Sequence, residues 1–405
     1  MLRKVLAFVA LGLFVSMQVS IAQETQKEEN KKLQLTPYGF IKGDMFYATD
    51  GVYSWGNQAN NYITTPQFAS GVEESAISFT AQHTRLGLKG VTGEKVKVGG
   101  LVEIDFYNGP SDANLKPRIR LGYASIAKDG FEARFGQQWD LFSPNNANTV
   151  NTNGNMWFAG NMGFRRAQIQ LSYTTTTDFV DPMIQVSFGE GAREEAGLGK
   201  DNRSGSPMIQ ARLSGKFDKK YVVGVSFATA AFKELKGTTV GPNVLAEDFT
   251  FNTTGIGLDF NLPFDKYFSL LGEFNTGTNL NNGNLFSAAG NYYYTLDAAG
   301  KPTEYDRKST GFWLNATSQV TDWMTVVIGY GMDNNSSDDF NLGAVEKNSM
   351  LYGDFIFPLK HGFSVALEVE NLATTVVTGV DASNKITTSQ DNKATVIGLS
   401  GRVTF

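Results

Sequence analysis

The chain has 405 residues, a formal net charge of −5, two histidines and no cysteine. A mildly acidic chain offers nucleic acid no basic footprint, and without cysteine there is neither a disulfide framework nor a thiolate metal site. Thirty Phe, 15 Tyr and 43 Gly against only 11 Pro are unusual for a soluble protein.

Residues 1–22 begin with Arg3 and Lys4, continue through an apolar run and end at Ser20, Ile21 and Ala22. A charged n-region, an h-region and a small-residue site predict a secretory signal peptide cleaved after Ala22. Cleavage removes two cations and leaves a mature charge near −7. Residues 23–36 read as a short charged periplasmic lead, and residues 37–405 as one domain. After residue 22 no apolar run reaches the roughly 18 residues a membrane helix needs. Such a chain is either a soluble β protein or an outer-membrane β-barrel.

From residue 38 the hydrophobic period is two, the strand signal. The first strand sets Ile41, Met45 and Tyr47 against Phe40, Lys42 and Asp44. The second sets Leu86 and Leu88 against His83, Arg85 and Lys89. The third sets Val98, Val102, Ile104 and Phe106 against Glu103 and Asp105, and the fourth Ile119, Leu121 and Tyr123 against Arg118 and Arg120. The fifth opposes Phe131 and Phe135 to Glu132, Arg134, Gln138 and Asp140. Next come Ile169, Leu171 and Tyr173 against Arg166, Gln168 and Gln170. Further on, Ile209, Ala211 and Leu213 oppose Gln210, Arg212 and Ser214. The pattern repeats to a last strand with Ile397, Leu399, Val403 and Phe405 against Arg402 and Thr404. The count is 16, an even number, as in barrels whose chain ends share one rim.

The connections alternate in length. VTGEK, AKDG, FDKK, PFDK, VTD and PLKHG are short, and the stretches between them are long, ending with residues 373–393. Short turns on one rim and long loops on the other is the layout of an outer-membrane barrel. The polar face confirms the choice against a soluble barrel. Arg85, Lys89, Arg118, Arg120 and Arg134 cannot fill a dry core, since burying unpaired charge costs several kcal/mol each. They can line water, with the apolar face toward lipid. The expectation is an all-β, 16-stranded antiparallel transmembrane β-barrel with long extracellular loops, short periplasmic turns and an inward-folded third loop.

Residues 141–163 form that third long loop, with seven Asn and Trp157. Asn145, Asn146, Asn148, Asn151, Asn153 and Trp157 are expected to narrow the lumen. Two flanking segments, PRIRLGYASIAKDGFEARFGQQWDLFSP and GFRRAQIQLSY, carry a resemblance. Together they resemble the DcaP-like porins, trimeric outer-membrane channels. The match rests on RIRLGY, on GQQWDLF before an Asn-rich loop and on RRAQIQLSY, about 60 residues in all, with the rest similar in layout. HTRLGLKG is similar to a segment of general porins. The resemblance implies 16 strands, a homotrimer, a loop-constricted pore and small anionic solutes. Arg118 and Arg120 match the family's arginine pair, Gln138 and Trp139 its Gln-x-Trp region, and Arg165 and Gln168 its Arg and Gln after the loop. Gln170 stands where a further Arg is usual, and residues 23–35 are too short for the family's coiled-coil extension.

The residues support a cationic lumen wall in their own right. Lys42, Arg85, Lys89, Arg118, Arg120, Arg134, Arg166 and Arg212, with Gln138 and Gln168, are expected to line the pore, with Glu103 and Asp105 among them. Guanidinium groups bind carboxylate and phosphate, and rings of Arg or Lys favour anions. A self-neutralised wall that only stiffens the barrel is the competing reading. Arg165 has outward parity and is expected at a strand end or bulge. His83, His361 and DNNSSDDFN give no metal site, Ser78 does not share a face with His83, and no cofactor motif is present. The function expected is passive uptake of small hydrophilic, anionic solutes with no reaction catalysed. An adhesin-like barrel with a plugged lumen, or a cation-selective or non-selective porin, are the alternatives. Outer-membrane lipid and lipopolysaccharide, the barrel-assembly machinery and sister subunits are the expected partners. Phe405 is expected to be the assembly signal.

Overall fold

A computed structural model of the chain describes residues 32–54, 66–107, 116–152, 154–191 and 206–405. The segment read as a signal peptide and most of the one read as a lead lie outside them. Sixteen strands form one closed antiparallel barrel. They are β1 (Gln34–Ala48), β2 (Ala76–Thr80 with Arg85–Thr92), β3 (Lys97–Asp105), β4 (Arg118–Lys128), β5 (Phe131–Trp139) and β6 (Arg165–Thr174). β7 (Val180–Gly189), β8 (Met208–Phe217), β9 (Tyr221–Glu234), β10 (Phe249–Pro263) and β11 (Phe268–Thr278) follow. β12 (Lys308–Thr321), β13 (Met324–Asn335), β14 (Val345–Pro358), β15 (Phe363–Val380) and β16 (Ile386–Thr404) complete the ring. β1 begins at Gln34, inside the segment read as a lead, because Gln34 to Thr36 pair with Lys89 to Val91.

Each strand pairs with its neighbours in sequence, and β1 closes the ring against β16, from Phe40–Thr404 to Ala48–Val396. Phe405 finishes that seam. Its N–H donates to the Gly39 carbonyl and its carbonyl accepts from the Gly39 N–H, both at 3.1 Å. Closure leaves no edge strand unpaired, the condition for backbone inside hydrocarbon.

The barrel is apolar outside and charged inside. Ile41, Ile119, Ile184, Leu213, Leu258 and Ile328 are more than half exposed, while Lys42, Asp105, Arg120, Asp259, Asp354 and Glu368 are almost fully buried. Such an exterior belongs in lipid, since apolar area left in water costs about 25 cal/mol per Å². Aromatics collect at the short-turn rim: Phe264 stacks on Phe268, Trp323 on Phe357, and Tyr221 tilts against Phe264. Amphipathic rings at one level mark an interfacial girdle.

Connections 93–96, 129–130, 175–179, 218–220, 264–267, 322–323 and 359–362 lie on one rim. The other rim carries the connections that follow β1, β3, β5, β7, β9, β11 and β13. The expected last long loop is corrected. β15 and β16 stay paired from Val376–Gln390 to Val380–Ile386, so only residues 381–385 turn. The Thr- and Val-rich flanks favour strand even in solvent. The Asp381 carboxylate accepts the N–H groups of Ser383 (2.8 Å) and Lys385 (2.9 Å), which sets the turn.

A second correction concerns β4. The β3–β4 register shifts between Glu103–Leu121 and Ile104–Ile119, so Arg120 is the extra residue of a β-bulge. Ile119 faces outward at 55 % exposure, as expected. After the bulge the parity flips. Leu121 and Tyr123 pair with Glu103 and Leu101 and share the inner face, where the Arg134 guanidinium lies 5.2 Å from the Tyr123 ring centroid.

Candidate functional site in the barrel lumen

Lys42, Arg85, Arg118, Arg120 and Arg134 lie on neighbouring strands, β1 to β5, and each of these five stands against a carboxylate. Arg118 is bidentate to Asp105, with Nε at 2.9 Å from Oδ1 and Nη2 at 2.8 Å from Oδ2. Arg120 donates to Glu103 (3.0 Å) and Asp105 (2.8 Å), placed between them by the bulge. Arg85 is 3.6 Å from Glu103. Beside them Lys42 pairs with Asp44, whose second oxygen is 2.9 Å from His83 Nδ1. Ser78 Oγ and His83 Nε2 are buried and make no hydrogen bond. Arg134 pairs with Glu132 on its own strand and Arg212 with Asp259. Lys89 is exposed. Arg118 and Arg85 keep about a fifth of their side-chain surface open, and Arg134 about a third.

The third loop leaves β5 and is pinned across the lumen by inward-facing acceptors. At its start, Gln210 on β8 accepts from the N–H groups of Leu141 (2.8 Å) and Phe142 (2.9 Å). Glu273 on β11 accepts from Ser143 Oγ and from the Asn145 N–H (2.7 Å). Asn315 on β12 takes the Asn148 N–H at 2.7 Å, and Asn148 Nδ2 donates to Thr317. Finally Glu368 on β15 takes Val150 N–H at 2.7 Å and Asn151 N–H at 2.9 Å. Four strands of the far wall therefore hold one loop by its backbone. Glycine lets the surfaces touch. A Cβ at Gly160 would lie 2.2 Å from the Phe312 carbonyl oxygen, and one at Gly331 2.1 Å from that of Ala159.

Among the loop residues expected to narrow the lumen, Asn145 and Asn148 contact the wall, Asn146 is half-buried, and Asn151 is buried beneath Glu368. Asn153 lies outside the described residues. Trp157 is placed differently. It is 2 % exposed and packs edge-on against Phe164 and tilted against Phe286.

Phe286 belongs to a second inward loop, residues 279–307, which the sequence did not reveal. Its Phe286 N–H donates to the Met162 carbonyl (2.8 Å), and the Ala288 N–H to Asp333 on β13 (2.6 Å). Arg166 ties the two loops. It is bidentate to Asp140 at the base of the third loop and donates to the Gly283 carbonyl at 3.0 Å. Gln168 is buried and donates to the Gln138 and Trp139 carbonyls. Arg166 and Gln168 therefore act as scaffold at this height.

The acceptors Gln210, Glu273, Asn315 and Glu368 were also missed as loop anchors. Each lies on a face read as polar, and nothing local marks it as an anchor. Asp354 lies across the β14–β15 ladder from Glu368, and Glu370 two residues along the same strand; the three buried carboxyl groups form an acidic patch under the loop tip.

Neither a family model nor a curated protein sequence matches this chain. Solved structures do. The outer-membrane channel DcaP of Acinetobacter baumannii superposes with a TM-score of 0.69 at 18 % identity, over 92 % of this chain and 97 % of that one. The chain has the porin fold. An anion-selective porin from Comamonas acidovorans (TM-score 0.55, 14 % identity, 92 % and 100 % covered) shares it. So does the trimer form of OmpT from Vibrio cholerae (0.56, 12 %, 92 % and 99 %).

Proposed function

We propose that this chain is an outer-membrane porin, a passive channel for small hydrophilic solutes that favours carboxylate- or phosphate-bearing ones. The observation that carries the reading is the inverted barrel: a closed 16-strand ring with apolar residues outside and ion-paired polar residues inside. A barrel of that size is wide enough for water. The third loop narrows it, and the partly open guanidinium groups of Arg85, Arg118 and Arg134 stand where a solute passes. Fixed cations at a constriction raise the local concentration of anions. The C. acidovorans structure, described as an anion-selective porin, supports the sign.

Three such barrels assemble side by side, as the V. cholerae structure described as a trimer suggests. Delivery requires export by the cleaved leader and recognition of Phe405 by the assembly machinery, with lipopolysaccharide around the loops. The liposome-swelling assay tests the reading. Proteoliposomes swell in small sugars and amino acids and faster in small carboxylates. Vesicles that do not swell in any small solute would point to the plugged, loop-presenting barrel instead.

A further inference from the structure

Among the described residues, Arg165 near the arginine wall has no answering carboxylate. β4 pairs with β5 only from Lys128–Phe131 to Gly122–Gln137. Beyond that point the strands part, and Gln137 Nε2 bridges the split to the carbonyls of Ile119 (2.8 Å) and Arg120 (3.1 Å). β5 and β6 continue together to the Trp139–Arg165 pair. Arg165 stands at this split, 5 % exposed, its guanidinium carbon 5.1 Å from the Trp139 ring centroid and 4.6 Å from that of Phe164. Its Nε and Nη1 are buried and make no hydrogen bond. The fields of Arg120, Arg118, Asp105 and Arg85 reach it. Both oxygens of Asp105 are already engaged by Arg118 and Arg120. On the β6 side, the side-chain amide of Gln138 is 3 % exposed with neither its nitrogen nor its oxygen bonded.

A guanidinium stripped of water, with two unused donors and three other arginines near it, is costly. Among the described residues no carboxylate pairs with Arg165, so its unused donors favour an added negative charge. The two rings hold the guanidinium in place without neutralising it. We propose that the split between β4 and β5 is an oxyanion-binding site, with Arg165 as the capturing residue. Its ligand is a small solute's carboxylate or phosphate group. Arg118 and Arg120, spent on their own carboxylates, supply the field, while Arg165 supplies the free donors. The proposal takes its ligand class from the channel reading, and its binding is measured without conduction.

The test is calorimetric titration of the detergent-folded full chain with sodium acetate and, separately, sodium phosphate. Wild type binds one or both saturably, and the pair of titrations tells carboxylate from phosphate. Arg165→Gln weakens binding at least about tenfold, while Arg165→Lys, which keeps the charge, loses less. Heat-modifiable gel mobility checks that each variant is folded. A second readout uses wild type alone. The anion changes the emission of Trp139, and that change is absent in Trp139→Phe. Equal binding by wild type and R165Q, or no binding of either anion to wild type, overturns the proposal. If binding is lost in R165Q while bilayers show no current, the channel reading fails and the site stands.

Discussion

Arg118 and Arg120 share Asp105, and that shared carboxylate decides what their removal does. Taking away one partner of a buried ion pair leaves the other charge uncompensated, at a cost of about 3–5 kcal/mol. Arg118→Ala with Arg120→Ala therefore lowers the temperature at which the barrel loses its folded gel mobility. It also makes this wall acidic, so the reversal potential moves toward cations. An unchanged potential would show that the pairs lie outside the ion path. Glu368 acts in another way. It receives two backbone N–H groups from the loop tip, and hydrogen bonds to a charged group contribute about 1.5–3 kcal/mol each. Glu368→Ala should speed amide exchange at Val150 and Asn151 by at least about tenfold, read by hydrogen-exchange mass spectrometry. Unaltered exchange there would mean the tip is held by packing alone.

Elements were legible where one local rule sufficed. Alternation gave the strands and their faces because each residue is either in lipid or in the lumen. Connection length gave the two rims. The rule failed at Arg120, where one bulged residue reversed the faces of Leu121 and Tyr123. It failed again at residues 373–393, whose Thr-rich strands pair beyond the point where alternation loses contrast. The loop anchors were out of reach for a different reason. Asn148 meets Asn315 and Val150 meets Glu368 only because the barrel closes, so nothing local marks them. Two predictions belong to this scale. Gly160→Ala sets a Cβ against the Phe312 carbonyl, so the third loop must lift from β12 and single-channel current becomes noisier. Quiet, wild-type current would contradict that contact. Deleting Phe405 removes both hydrogen bonds to Gly39, and cell fractionation should find the protein exported but not inserted. Normal insertion would show that the seam closes without it.

At the scale of the whole molecule, a chain with a net charge of −5 is assigned a preference for anions. The two statements are compatible because total charge counts loops and turns, whereas selectivity depends on the groups a permeating ion meets. The acidic patch of Asp354, Glu368 and Glu370 is buried and capped by the loop tip, while Arg85, Arg118 and Arg134 on β2, β4 and β5 keep part of their surface open, with Glu132 beside Arg134. The reversal potential of the purified protein in a planar bilayer, under a tenfold potassium chloride gradient, tests this directly. The account predicts stepwise conductance with a potential of the sign that chloride preference gives. A potential of the opposite sign, or a bilayer without steps, would contradict it.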